Sequence, residues 1–248
     1  MKRFGGPMDN KTLYESSEFE LWNHREGLLD QERYFLTKYI LAEHQILEAG
    51  TGGGRISYAL EQMGYSHISA FDYVEKMIAS AKIKNLTTSI RFLVADATDL
   101  SLFPTGSFDR LIYLQQIISF IPKTKISHAF NEAYRLLKPD GIIIFSFLNW
   151  NGRVINPVLS TLLTVARFLR NEQTSEQSLP WLKLSNRPNW KLFGRNQPLT
   201  YWFRREELIA QLESLSFSIL EIKTSSYFTG ASSDGMLYIV AQKKDPLS

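Results

Sequence analysis

The sequence predicts an α/β domain with a mostly parallel sheet and an insertion in its second half. Three observations carry that reading. The stretch 45–60, QILEAGTGGGRISYAL, passes from a short apolar strand through Gly50, Gly52, Gly53 and Gly54 into a helical pattern. Downstream, apolar runs of strand length end on acids, at Asp72 and Asp96, with helical periodicity between them. Residues 149–200 then break the rhythm, with Pro157, Pro180, Pro188, Pro198 and the polar run NEQTSEQS. A chain of 248 residues is long enough to build this as one large domain.

Taken in order, residues 11–27 mix aromatic and charged side chains. Leu28 to Leu41 then reads as an amphipathic helix, with Leu29, Tyr34, Phe35, Tyr39 and Leu41 at helical spacing. The first strand, Ile46-Leu47, ends on Glu48. The turn after it is Gly50-x-Gly52-x-Gly54, where glycine supplies unusual dihedrals and lets a ligand approach bare backbone. Arg55 stands where a dinucleotide fingerprint needs a third glycine, which argues against a nicotinamide oxidoreductase.

His67–Phe71 is the second strand, with Asp72 at its carboxyl end, where ligands of parallel sheets gather. Asp72 also suits the N-terminus of the helix Val74–Lys84. Ile90–Ala95 is the third strand, with Phe92 and Val94 on one face, followed by Asp96. Ser107–Tyr113 is the fourth, leading into Leu114-Gln115-Gln116. A helix from Lys123 to Leu137 is stopped by Lys138-Pro139-Asp140-Gly141 before the fifth strand, Ile142–Phe147. In the insertion, Val154–Leu169 places Ile155, Val158, Leu162, Ala166 and Leu169 on one helical face, as expected of a lid helix packed on a site. Its 16 residues fall short of the ~20 that span a bilayer. A helix over Arg204–Ser214 and strands at Phe217–Thr224 and Gly235–Ala241 complete the chain.

Composition narrows the chemistry. The chain has no cysteine, which excludes disulfides and thiolate nucleophiles. His24, His44, His67 and His128 show no paired metal-ligand spacing, so no metal is expected, and no G-x-S-x-G elbow is present. The basic N-terminus lacks the apolar core of a signal peptide, which makes the cytoplasm the expected location. A net charge of +3 does not argue for a nucleic-acid partner.

The ordered set of glycine turn, Asp72, FLVADATDL, SFDRLIYLQQ and EAYRLLKPDG before IIIFSF resembles the class I S-adenosylmethionine-dependent methyltransferases over about residues 28–148. Asp140 stands where that family more often has a second glycine, a turn position that Asp tolerates. The resemblance implies a Rossmann-like seven-stranded, mostly parallel sheet with helices on both faces, an antiparallel last strand and a helical lid between strands 5 and 6. It implies a single domain over 1–248: a helical cap (1–44), a cofactor core (45–148), the lid (149–200) and a C-terminal helix with a strand pair (201–248). The implied cofactor is S-adenosylmethionine, the by-product S-adenosylhomocysteine, and the acceptor a small molecule.

By the same resemblance, Glu48, Gly50, Thr51, Gly52, Arg55, Asp72, Tyr73, Met77, Asp96, Ala97, Leu114 and Gln115 bind the cofactor. Asp72 would meet the ribose hydroxyls, Asp96 the adenine amino group and the Ala97 N–H a ring nitrogen. Family members often carry a histidine where this chain has Ile118-Ser119, which leaves His24, Tyr14, Gln115 and Tyr201 as candidate catalytic helpers. Tyr73 or Trp22 would attract the sulfonium through its ring. Alternative readings are an RNA or protein methyltransferase, disfavoured because no RNA-binding module or NPPY-type tetrad is visible, and an inactive cofactor-binding protein.

Between 149 and 205 the chain holds nine Arg or Lys and two Glu, a net +7 that leaves −4 for the remainder, and four of the five tryptophans. This composition points to an acceptor that is anionic and partly apolar, with Trp22, Arg25, Arg187, Trp190, Lys191 and Arg195 as its contacts. Peripheral contact with an anionic membrane surface is the competing use of the same charges.

Overall fold

A computed structural model describes residues 10–16, 19–152, 162, 165–166, 168–169, 178–180, 199–230 and 234–244. Five parallel strands form the first part of the sheet: β1 (Ile46–Ala49), β2 (Ile68–Asp72), β3 (Arg91–Val94), β4 (Phe108–Tyr113) and β5 (Leu137–Leu148). A two-stranded antiparallel ribbon, β6 (Ser178–Pro180) and β7 (Leu199–Tyr201), lies within and at the end of the insertion. The last pair, β8 (Phe217–Thr224) and β9 (Met236–Lys243), gives the sheet order β3-β2-β1-β4-β5-β9-β8. Strand β9 runs antiparallel to both neighbours. The expected seven-stranded, mostly parallel sheet is present. The order reverses between β1 and β4, which opens a crevice at their carboxyl ends.

Burial on both faces explains the near-continuous apolar strands. All four residues of β1 are buried. Along β5, Ile143, Phe145 and Phe147 enter one core with α6 (Ile126–Leu136) and α7 (Arg205–Ser214), while Ile142 and Ile144 enter the other. That second core takes Phe35 and Leu36 from α3 (Asp30–Tyr39), Ile56 and Leu60 from α4 (Arg55–Gln62), and Ile78 and Ala81 from α5 (Glu75–Lys84). Each fully buried Leu, Ile or Phe contributes roughly 1.5–3 kcal/mol.

Asp140 takes φ +59°, the left-handed turn that a glycine would adopt freely. Val94, placed with Phe92 on one face by alternation, is exposed at the end of the edge strand β3 while Phe92 is buried. In the insertion, the described residues 162, 165–166 and 168–169 are helical. Leu162 and Leu169, expected on a packed face, are exposed there. Trp202 is a core residue rather than a lid residue, at 1% exposure. No helix among the described residues is long and apolar enough to cross a membrane.

Candidate active site

The site forms where β1, β2, β3 and β4 end. Gly50 has φ +64° and packs so closely on the loop after β4 that a Cβ would lie 2.1 Å from Ile117 Cδ1. Gly52, at φ +53°, has space for a side chain but not a relaxed backbone for one. Its N–H donates to Asp72 Oδ2 at 2.9 Å, and Val74 N–H donates to Asp72 Oδ1 at 2.9 Å. Asp72 therefore ties the glycine turn to the turn opening α5, and each oxygen keeps a lone pair for a ligand. Burial pushes its carboxyl up, and the backbone amides of Val74, Gly52 and Tyr73 pull it back.

Glu48 lies beneath the turn, with Thr51 Oγ1 donating to its Oε2 at 2.9 Å and the Ser57 hydroxyl donating as well. Burial raises its carboxyl to about 7 against those two bonds. Asp96 is exposed by contrast, and its Oδ1 accepts from Thr98 N–H and Oγ1, both at 2.9 Å. Gln115 and Gln116 each take φ +61°, two consecutive left-handed non-glycine residues. This strained corner persists because the Ser146 hydroxyl accepts from Gln116 N–H at 2.9 Å and the Ser119 hydroxyl accepts from Leu148 N–H at 3.0 Å.

A cavity of about 520 Å³ occupies the crevice. Of the residues singled out in the sequence, Tyr14, Trp22, Glu48, Gly50, Thr51, Gly52, Arg55, Asp72, Tyr73, Met77, Asp96, Ala97, Gln115 and Tyr201 line it. His24 does not. It is exposed and hydrogen-bonded to Glu20 at 2.9 Å, because it sits one turn on from Glu20 at the outer end of α2 (Phe19–Asn23). Arg25 is exposed too and stacks its guanidinium 4.5 Å from the Trp22 ring, outside the cavity. The Leu114 side chain is buried in the core and does not line the cavity; the cofactor contact expected of this residue is by its backbone. Arg187, Trp190, Lys191 and Arg195 lie outside the described residues.

Two features went unread in the sequence. The first is Glu32, 1% exposed in its side chain, which accepts two bonds from the Arg55 guanidinium at 2.6 Å each. Glu32 also accepts from Leu29 N–H at 2.8 Å and from the Gln115 amide, so it joins α3, α4 and the end of β4. Arg55 further donates to Gly27 O at 2.7 Å. Glu32 caps the helix at Leu29 N–H, but the Ser or Thr that marks a capping box in sequence is absent at Leu29, so nothing local flagged Glu32. The second is Asn23, whose carbonyl accepts from Lys84 Nζ while Lys84 also donates to Gly53 O at 2.8 Å. Ser80 Oγ donates to Asn23 Oδ1 at 2.7 Å, so α2 is fastened over the glycine turn. No local pattern announces such contacts, which span 57 and 61 residues.

The cavity fits a cofactor of the S-adenosylmethionine kind. Acceptors for two hydroxyls stand at Asp72, the turn beside it is bare glycine backbone, and Trp22, a lining residue, has a buried indole N–H without a partner. An unsatisfied buried donor of that sort costs about 1–3 kcal/mol until a ligand accepts from it.

Residues 46–141 match the family model of a methyltransferase domain. The ubiquinone biosynthesis O-methyltransferase of Xanthomonas oryzae pv. oryzae is 26% identical over 190 residues, covering 76% of this chain and 71% of that protein. A S-adenosylmethionine-dependent methyltransferase of Methanosarcina mazei superposes with a TM-score of 0.65 at 23% identity, over 85% of this chain and 97% of that one. The Burkholderia thailandensis 1,6-didemethyltoxoflavin-N1-methyltransferase, solved with its acceptor and S-adenosylhomocysteine, superposes with a TM-score of 0.63 at 17% identity, over 99% and 93% of the two chains.

Proposed function

We propose that this chain, a class I S-adenosylmethionine-dependent methyltransferase by its matched domain, its sheet order and its site, methylates a small-molecule acceptor held in the apolar half of the cavity. The observation that carries the acceptor reading is the wall of that half. It comes from α1 (Asn10–Glu15), a 3-10 turn (Ile117–Phe120) with the residues after it, and β7. Asn10 Nδ2 donates to Phe120 O at 2.8 Å, and the Tyr14 ring meets the Phe120 ring edge-on at 5.8 Å. Such a wall encloses a compact, partly apolar molecule better than a nucleic-acid strand or a folded protein.

When bound, the cofactor supplies an electrophilic methyl group on a sulfonium. The chain holds and orients around it. Asp72 and the Gly52 backbone fix the ribose end, Asp96 and Ala97 face the base, and Trp22 and Tyr73 close the side next to the glycine turn. Because the leaving group is neutral, alignment and exclusion of water do most of the work. Tyr201 orients rather than deprotonates. Its hydroxyl donates to Glu207 Oε1 at 3.1 Å, and burial together with Glu207 pushes its pKa up to about 12. Gln115 has its amide N–H engaged by Glu32, which leaves its carbonyl oxygen as an acceptor toward the cavity.

The test has two arms. Calorimetry with S-adenosylhomocysteine and with NAD should show binding of the first alone. Incubation with methyl-labelled cofactor and a fractionated cell extract should then put label in the small-molecule fraction. Label recovered in RNA or protein would overturn the acceptor reading.

A further inference from the structure

The cavity is divided by charge. Its carboxylates, Glu48, Asp72 and Asp96, all stand at strand ends, where the cofactor binds. Its lysines, Lys11, Lys123 and Lys125, all stand at the other end, on α1 and after the 3-10 turn. S-adenosylmethionine carries a sulfonium, an ammonium and one carboxylate, so it is net cationic and matches the acidic end while being repelled by the lysines. A net cationic cofactor leaves these lysines available to a different, anionic ligand.

Other cations of the described structure have partners: Arg55, in the same cavity wall, has Glu32, and away from the cavity Arg135 has Glu132, Lys138 has Asp109 and Lys38 has Glu221. Among the described residues no ion pair involves Lys11, Lys123 or Lys125. They are exposed at the cavity mouth, and Lys123 Nζ lies 5.5 Å from the centroid of the buried Tyr201 ring. Three like charges lining one cavity are mutually unfavourable until an anion enters. Beneath them, Tyr14, Phe120 and Tyr201 offer ring edges and faces to an apolar body.

We propose that Lys11, Lys123 and Lys125 determine acceptor specificity by binding an oxyanion, carboxylate or phosphate, carried on an aromatic or otherwise flat apolar acceptor. The inference rests on the small-molecule reading and locates anion recognition at the cavity mouth, on cap and 3-10 lysines, rather than on the arginines of the insertion.

The experiment uses the full chain saturated with S-adenosylhomocysteine. Benzoate, cinnamate and phenyl phosphate are titrated against benzamide, cinnamamide and benzyl alcohol, with calorimetry or ligand-observed NMR as readout. The wild type should favour the anions by roughly tenfold, the scale of a few partly exposed ion pairs, and less at high salt. The variant carrying Lys11→Gln, Lys123→Gln and Lys125→Gln should lose that preference while its affinity for S-adenosylhomocysteine stays within about twofold. Lys123→Glu alone should also weaken the anions without affecting the neutral compounds. The proposal is overturned if no anion binds better than its neutral counterpart, whether both bind or neither does, or if the preference survives in the triple variant. Failure to bind S-adenosylhomocysteine at all would instead overturn the methyltransferase reading beneath it, so the two failures are separable.

Discussion

The two ends of the cavity use charge in opposite ways. At the strand ends, the buried carboxylates are fastened before any ligand arrives: Glu48 by two hydroxyls, Asp72 by two backbone amides, and nearby Glu32 by a bidentate guanidinium. At the mouth, the lysines are exposed and have no ion-pair partners among the described residues. The fastened end is preorganised, since its desolvation and ordering are met by folding itself, and it can hold the same cofactor in every turnover. The open end leaves its charges to solvent and can change acceptor by changing a few exposed residues. Stability and cofactor affinity should therefore be coupled at one end and uncoupled at the other.

The sharpest way to break this comparison is at Glu32. Glu32→Ala leaves the buried Arg55 guanidinium with Gly27 O as its hydrogen-bond partner among the described residues and removes the capping bond to Leu29. A loss of about 3–5 kcal/mol in urea unfolding is expected. Adding Arg55→Met should recover part of it, because the stranded charge goes too. Cofactor-product affinity should fall with Glu32→Ala, as the glycine-turn helix and Gln115 lose their common anchor. If unfolding is unchanged, the fastened end is not fastened by this pair.

Next in size is Glu48. Its folded-state carboxyl sits at about 7 against an ordinary 4.5, so the folded protein binds that proton more tightly than the unfolded chain. The linked stability is complete below about pH 4.5 and is lost as pH rises through about 7, a span worth roughly 3 kcal/mol at most. In the cofactor-free protein, melting temperature should fall across that window relative to Glu48→Gln, which keeps a hydrogen-bonding group without the titration. Parallel curves for the two proteins would show that Glu48 is better solvated than its burial implies.

Asp72→Ala should weaken S-adenosylhomocysteine binding by about 1.5–3 kcal/mol. Because Asp72 also holds Gly52 and Val74, a drop in unfolding stability should accompany it, and Asp72→Asn should restore less than half of either. Wild-type affinity in the alanine variant would displace the ribose site.

These expectations also mark what could be read from the chain alone. The sheet was legible because buried parallel strands are continuous apolar runs, and the strand-end acids announce themselves by falling where those runs stop. Asp140 at φ +59° shows the same legibility in a turn. The Glu32–Arg55–Gln115 hub was not legible, since its members lie 23 and 83 residues apart and each looks locally like a surface residue. Neither was the displacement of His24, whose i,i+4 partner Glu20 draws it outward. The lysines of the mouth were hidden for a different reason. Lys11 and Lys123 are far apart in the chain and line one cavity because Asn10 and Tyr14 dock α1 on Phe120.

The smallest effect is expected at Asp96, which belongs by sequence to the fastened end but by exposure to the open one. Its Oδ1 is engaged by Thr98, while Oδ2 has no partner among the hydrogen bonds of the described residues, and the residue lines the cavity. An exocyclic amine is a donor, and a half-engaged carboxylate beside it is a suitable acceptor. Since the carboxylate is solvated in the free protein, exchanging water for the amine gains only about 0.5–1.5 kcal/mol. Asp96→Ala should therefore lower S-adenosylhomocysteine affinity by about three- to tenfold, with unfolding stability nearly unchanged. Asp96→Asn should lose less, because its amide oxygen still accepts. The decisive comparison uses the analogue whose purine lacks the amino group. Wild type should bind it more weakly than S-adenosylhomocysteine by the same factor, and Asp96→Ala should bind the two alike. Equal binding of both by the wild type would mean that Asp96 only turns the chain after β3, and the acidic end would then stop at Asp72.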